Sequence, residues 1–216
     1  MSLDNILNKV KVAEKQGYRE KGSVKLIAVS KVQPIERIEH VLAKGHRVFG
    51  ENRIQEALKK WPPLIEKYGK VELHLVGYLQ TNKVKEAMQN FQVIHSLDRE
   101  KLVFKIEAEA QRLGNCPELF IQVNTGNEIQ KAGVALEKLE ELYKLAKDKY
   151  SLPVVGLMCL PPFDEPPLGH FLSLSRLKSD LGLPRLSMGM SGDFEEAIRS
   201  GSTDIRVGSA LFGLRS

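Results

Sequence analysis

Cysteine is scarce in this chain, and so are long apolar runs. Its 216 residues include two cysteines, Cys116 and Cys159, and a single tryptophan. Two cysteines in a chain without an export signal do not argue for a disulfide framework. They are too few and too far apart for a zinc site, and they read as ordinary semi-buried thiols. No apolar run approaches the roughly 18 to 20 residues of a membrane-spanning helix, so no membrane segment is expected. The N-terminus lacks the apolar stretch and small-residue cleavage site of a secretory signal, which points to the cytoplasm. The net charge is only +5, and basic residues are mixed with acidic ones, as in Glu137-Lys138-Leu139-Glu140-Glu141. No basic cluster with interleaved aromatics occurs, so nucleic acid is not an expected partner. Also missing are the H-E-x-x-H helix of metalloproteases, the Walker loop and the G-x-S-x-G elbow.

What is present is the composition of a soluble globular protein, 42% hydrophobic and 27% charged. The length suits one domain spanning residues 1–216. Leu3, Ile6, Leu7, Val10 and Ala13 fall on one stripe of an N-terminal amphipathic helix. After it, short β-branched or apolar runs alternate with helix-period segments. The runs lie at residues 25–30, 47–50, 72–76, 92–95, 119–124, 154–158, 185–190 and 204–208. Between them, Ile35, Ile38, Val41 and Leu42 form one helical stripe. Leu136, Leu139, Leu142, Tyr143 and Ala146 form another, and Leu174, Leu177 and Leu181 a third. Strict βα alternation predicts a parallel sheet covered by helices. Eight such units behind one extra helix predict a single (β/α)8 TIM barrel with lean loops. The open dinucleotide-binding sheet is the structural alternative, but its Gly-rich turn is missing. Ser30-Lys31-Val32-Gln33-Pro34 stands there instead.

Active sites of β/α barrels lie at the C-terminal ends of the strands. Those ends are polar or glycine-rich here: Ser30-Lys31, Gly50-Glu51-Asn52, His95-Ser96, Met190-Ser191-Gly192 and Gly208-Ser209. The loops after the seventh and eighth strands are the usual phosphate site of such barrels. Ser191-Gly192 and Gly208-Ser209 each offer a hydroxyl, a glycine and a following helix whose N-terminus favours an anion. Ser191 and Ser209 could equally be plain helix caps. Closure of the barrel would set Lys31 beside both loops. A partly desolvated lysine amine can form an imine with a carbonyl. Aldehyde and phosphate on one ligand describe pyridoxal 5′-phosphate (PLP), or a sugar phosphate in a Schiff-base aldolase.

Arg206 shares strand parity with Asp204 and Gly208, so it is expected inside the barrel, opposite in sense to Ile205 and Val207. An arginine there could meet the pyridine nitrogen of PLP. It keeps its proton, so it would leave that nitrogen unprotonated and weaken the electron sink that PLP enzymes use. The competing reading pairs Arg206 with Asp204 or Glu195. His74 and His95 read as satisfied core or rim histidines, and Glu51 as either a general base or a rim carboxylate.

These residues sit in a longer pattern. Ala28-Val29-Ser30-Lys31, Gly50-Glu51-Asn52 with Gln55-Glu56, and Gly77-Tyr78-Leu79-Gln80-Thr81-Asn82-Lys83 come first. His95-Ser96-Leu97-Asp98-Arg99, Lys131-Ala132-Gly133, Leu186-Ser187-Met188-Gly189-Met190-Ser191 and Arg206-Val207-Gly208-Ser209 follow in order. Together they resemble the YggS/PROSC family of pyridoxal phosphate homeostasis proteins over nearly the whole chain. The resemblance implies a barrel like the N-terminal domain of alanine racemase, without that enzyme's C-terminal domain. It implies PLP as a Schiff base on Lys31, its phosphate around Ser191, Gly208 and Ser209, Arg206 facing the ring nitrogen, and Asn52 near the ring. It further implies a PLP carrier or regulator of vitamin B6 pools without robust turnover, with apo PLP-dependent enzymes as partners. The alternative is a PLP-dependent amino-acid racemase. A monomer is expected, since the domain that builds the racemase dimer is missing. Tyr78, Thr81, Gly192 and Ser209 depart mildly from residues common in the family.

Overall fold

Leu26, Ile27, Ala28 and Val29 are four consecutive buried residues on one short strand, β1 (Lys25–Val29). A strand that is apolar on both faces must be covered on both faces, which is the signature of a buried parallel sheet. The structure is a computed structural model and describes residues 1–128 and 130–213. Around β1 lie β2 (Val48–Glu51), β3 (Glu72–Leu75), β4 (Val93–Leu97), β5 (Glu118–Asn124), β7 (Val154–Cys159), β8 (Arg185–Ser187) and β9 (Asp204–Val207). They pair in parallel in the order β4-β3-β2-β1-β9-β8-β7-β5, and β4 pairs β5 to close the ring. This is the expected eight-stranded barrel. Among the described residues it carries one addition, the two-residue strand β6 (Val134–Ala135), which pairs β5 at its C-terminal end.

Most boundaries fall within one or two residues of the sequence expectation, and the largest difference is at the seventh run. The run at 185–190 was expected to be strand throughout, but β8 stops at Ser187. Gly189 adopts φ +91°, and a Cβ on it would stand 2.5 Å from the Ala197 Cβ. The chain turns there toward helix α8 (Phe194–Arg199), and only a glycine accepts both the conformation and the approach.

The principal apolar core lies between the barrel and its helices, where Ile38, Leu42, Trp61, Leu102, Phe171 and Ile198 are buried. The extra helix, α1 (Leu3–Gln16), buries Leu3, Ile6, Val10 and Ala13 as its stripe predicts. Ser2 caps it by accepting the Asn5 N–H at 3.2 Å, and Lys9 pairs with Glu195 on α8 at 2.6 Å. Glu195 is thereby removed as a partner of Arg206. Both cysteines are free, and burial pushes each thiol up to about 12, so neither is a ready thiolate. No described helix is long and apolar enough to cross a membrane.

Candidate functional site

Lys31, Asn52, Ser191, Arg206, Gly208 and Ser209 all line one pocket of about 330 Å³ at the C-terminal mouth of the barrel. Strand closure brings them together, because β1 pairs β9 and β8 pairs β9.

Lys31 follows β1 in a turn whose next residue, Val32, has φ +57°. A β-branched residue rarely adopts this region, and its cost must be met by surrounding contacts. Glu56 Oε1 accepts the Val32 N–H at 2.7 Å, and Lys60 Nζ donates to the Ser30 carbonyl at 2.8 Å. Behind the turn, Glu51 is fully buried. Its Oε1 accepts from Ser30 Oγ at 2.7 Å, Lys60 Nζ at 2.9 Å and Trp61 Nε1 at 3.1 Å. Burial pushes the Glu51 carboxyl up, and Lys60 and Ser30 oppose that. Glu51 is absent from the pocket lining. It anchors the Lys31 turn from inside and is not placed as a general base for anything in the pocket.

Asn52 is set by a close backbone approach. A Cβ on Gly77, in the loop after β3, would lie 2.3 Å from the Asn52 carbonyl oxygen. Glycine at 77 lets the two loops touch.

The serines behave differently from simple caps. The N-cap of α8 is Asp193, not Ser191, and that of α9 (Ser209–Phe212) is Gly208, not Ser209. Ser191 Oγ instead reaches across to the next loop, accepting the N–H of Gly208 at 3.2 Å and of Ala210 at 3.1 Å. The two loops form one N–H-rich cradle joined by a hydroxyl. Gly192 adds an open edge, where a Cβ would meet nothing within 4 Å. This donor set suits a phosphate.

Arg206 is buried, and it is not paired with Asp204, which Arg185 takes with two nitrogens at 3.1 and 2.5 Å. Its guanidinium donates to Ser187 Oγ and, at 2.8 Å, to the Cys159 carbonyl. Burial lowers its pKa from the usual arginine value, though an arginine still holds its proton. A buried cation facing a pocket, with neutral protein partners, suits an acceptor nitrogen on a ligand.

Three features escaped the sequence. Gln33 lines the pocket, and its Oε1 accepts from Arg37 at 3.2 Å. Met190 closes one wall. Ser187 joins Arg206 to His95, a link whose only trace in the sequence is the shared inward parity of Arg185, Ser187 and Gly189.

The profile of the alanine racemase N-terminal domain family matches residues 1–216. A pyridoxal phosphate homeostasis protein of Aquifex aeolicus is 40% identical over 222 residues, covering 99% of this chain and 96% of that protein. The solved structure of PipY from Synechococcus elongatus with PLP bound is 32% identical with a TM-score of 0.83, covering 96% of this chain and all of that one. Alanine racemase of Corynebacterium glutamicum, 20% identical with a TM-score of 0.69, shares the fold, and this chain covers 61% of its length. The chain therefore belongs to the family of pyridoxal phosphate homeostasis proteins, built on the barrel of the alanine racemase N-terminal domain.

Proposed function

We propose that this protein binds PLP covalently through Lys31 and serves PLP homeostasis as a holder of the cofactor, without robust turnover. The observation that carries this is the composition of the pocket. Among its described lining residues the only ionisable side chains are Lys31 and Arg206. Lys31 supplies the amine for attachment. Ser191, with the backbone N–H groups after β9, supplies the phosphate cradle, and Arg206 and Asn52 supply the ring contacts.

When bound, PLP supplies an aldehyde for attachment and a ring able to delocalise charge. The residues around it limit what that chemistry achieves. Arg206 donates hydrogen bonds and cannot pass on its proton, so it supports no positive charge on the ring nitrogen. Racemisation needs an acid and a base on opposite faces of the substrate. Lys31 is the single proton-transfer group among the described lining residues, so none of these offers a partner for the second face. Homeostasis then means retention and release, with apo PLP-dependent enzymes as the recipients.

The test is spectroscopic and chemical. The protein mixed with PLP should absorb in the visible, and borohydride should leave the cofactor's mass on Lys31. A colourless protein, or mass on another lysine, would overturn the reading. Racemisation of a common amino acid that disappears in Lys31→Ala would replace it with the enzymatic one.

A further inference from the structure

The barrel interior is polar where most barrel interiors are packed with aliphatic side chains. Its separate apolar cluster is small, made of Val93, Phe120 and Met158. Beside it, a line of hydrogen bonds runs from one mouth to the other. At the N-terminal mouth Lys25 Nζ donates to Glu72 Oε1 at 2.7 Å. The same oxygen lies 2.7 Å from His74 Nε2. His74 Nδ1 is 2.8 Å from His95 Nε2, and His95 Nδ1 is 2.9 Å from Ser187 Oγ. Ser187 Oγ accepts from Arg206, which lines the pocket at the other mouth. His74, His95 and Ser187 are fully buried.

The two ends force the direction of every hydrogen between them. Arg206 can only donate, and the Glu72 carboxylate can only accept. Ser187 therefore accepts from Arg206 and spends its own hydrogen on His95 Nδ1. His95 must carry its hydrogen on Nε2 and give it to His74 Nδ1. His74 must carry its hydrogen on Nε2 and give it to Glu72. With both imidazoles neutral each contact has one hydrogen, and no other assignment fills them all. Burial, reinforced by the nearby Arg206, Arg185 and Lys25, holds the His95 pKa well below its ordinary value, as a neutral ring requires. His95 also stacks on Phe120 at 4.4 Å, which holds its ring plane in line with the chain of hydrogen bonds. Of the nearby carboxylates, the buried Asp204 and the exposed Glu118 are both engaged by Arg185.

We propose that Glu72, at the mouth opposite the pocket, is a positioning residue that orients Arg206 toward the bound cofactor through His74, His95 and Ser187. The proposal rests on the reading above that Arg206 faces the cofactor ring. A carboxylate at position 72 admits one direction for the chain. A neutral amide there can present either its oxygen or its nitrogen, so the chain can reverse. In the reversed chain Ser187 accepts from both His95 and Arg206, its own hydrogen loses its acceptor, and the seat of Arg206 loosens.

The experiment compares wild type with Glu72→Gln and Lys25→Met. Both variants break the Lys25–Glu72 ion pair, but only Glu72→Gln removes the obligate acceptor. Nitrogen-15 NMR of the protein without PLP should show both histidines as Nε2–H tautomers in wild type and in Lys25→Met. It should show a population of the Nδ1–H tautomer at His74 in Glu72→Gln. PLP trapped from fresh complex should sit on Lys31 in all three, while Glu72→Gln should release PLP about tenfold faster, the low end of what outer partners of metal-binding histidines are worth. An Nδ1–H tautomer at His74 in wild type would overturn the proposal. So would equal release from wild type and Glu72→Gln, or equally fast release from Lys25→Met and Glu72→Gln. Absence of PLP from Lys31 in wild type would instead overturn the proposed function, and the tautomer result would stand apart from it.

Discussion

Ser191 and Gly208 belong to successive βα loops, yet the Gly208 N–H donates to Ser191 Oγ at 3.2 Å and fixes one loop on the other. The hydroxyl stands where a phosphate oxygen would be welcome, at backbone donors next to a helix start. It shapes the cradle and neutralises two N–H groups, those of Gly208 and Ala210.

Ser191→Ala should therefore act twice. Loss of the hydroxyl that accepts the Gly208 and Ala210 N–H groups should cost about 1 kcal/mol of stability, the usual net worth of a hydrogen bond. PLP should also be retained less well, and less well again when Ser209→Ala is added. Equilibrium dialysis against PLP, with urea unfolding alongside, separates the two effects. Unchanged retention in the double variant would refute the phosphate assignment.

Lys60 and Glu51 form a buried pair behind the Lys31 turn, 2.9 Å apart. Removing one partner of such a pair strands the other. Lys60→Met should destabilise by about 3–5 kcal/mol, and adding Glu51→Gln should restore much of it, because the orphaned charge is then gone. Urea unfolding midpoints measure both. A Lys60→Met protein as stable as wild type would show that Glu51 is not held as an ion pair.

Acid should weaken the fold in two steps with different owners. The His95 pKa is lowered by burial, so the unfolded chain binds a proton that the native ring refuses. Its contribution is present above the ordinary histidine value of about 6.5 and declines as pH falls below it. His74, and then Lys25, hold Glu72 down at about 2, against an ordinary value of 4.5. That contribution is present above 4.5 and is lost as pH falls toward 2. In urea titrations across pH, Glu72→Gln should flatten the lower window, and His95→Gln the upper one. A Glu72→Gln protein with the wild-type slope between pH 4.5 and 2 would remove Glu72 from this account.

Gly77→Ala is a prediction about contact, since the added Cβ would stand 2.3 Å from the Asn52 carbonyl oxygen. Overpacking against backbone should cost about 1–3 kcal/mol. It should also displace Asn52, so retention of PLP should fall more than in a control such as Gly169→Ala, where a Cβ meets nothing within 4 Å and the backbone is helical. Equal retention in the two variants would show that Asn52 does not depend on this approach.

The strand and helix order could be read directly, because each element carries its own period. The stripe of α1 and the apolar runs of β1 and β5 needed no partner to be recognised. Other elements obey their surroundings. Helix α3 (Ile54–Tyr68) runs through Pro62 and Pro63, which local rules would treat as a break. The buried Trp61 and Leu64 on the same helix outweigh that local cost. The two-residue β6 is too short to carry any period of its own.

By itself the sequence determined the βα alternation, the count that closes a barrel, and the rim positions of Lys31, Asn52, Ser191, Arg206, Gly208 and Ser209, since all of these follow from periodicity and from where strands end. Tertiary structure decided the pairings among side chains. Asp204 went to Arg185 and Glu195 to Lys9, leaving Arg206 to Ser187 and the Cys159 carbonyl. Ser191 capped a neighbouring loop, and the two histidines read as plain core residues became links between opposite mouths. The physical reason is range. Periodicity is a property of adjacent residues on one element, whereas a hydrogen bond between β4 and β8 depends on register, tilt and burial that exist only once the barrel has closed.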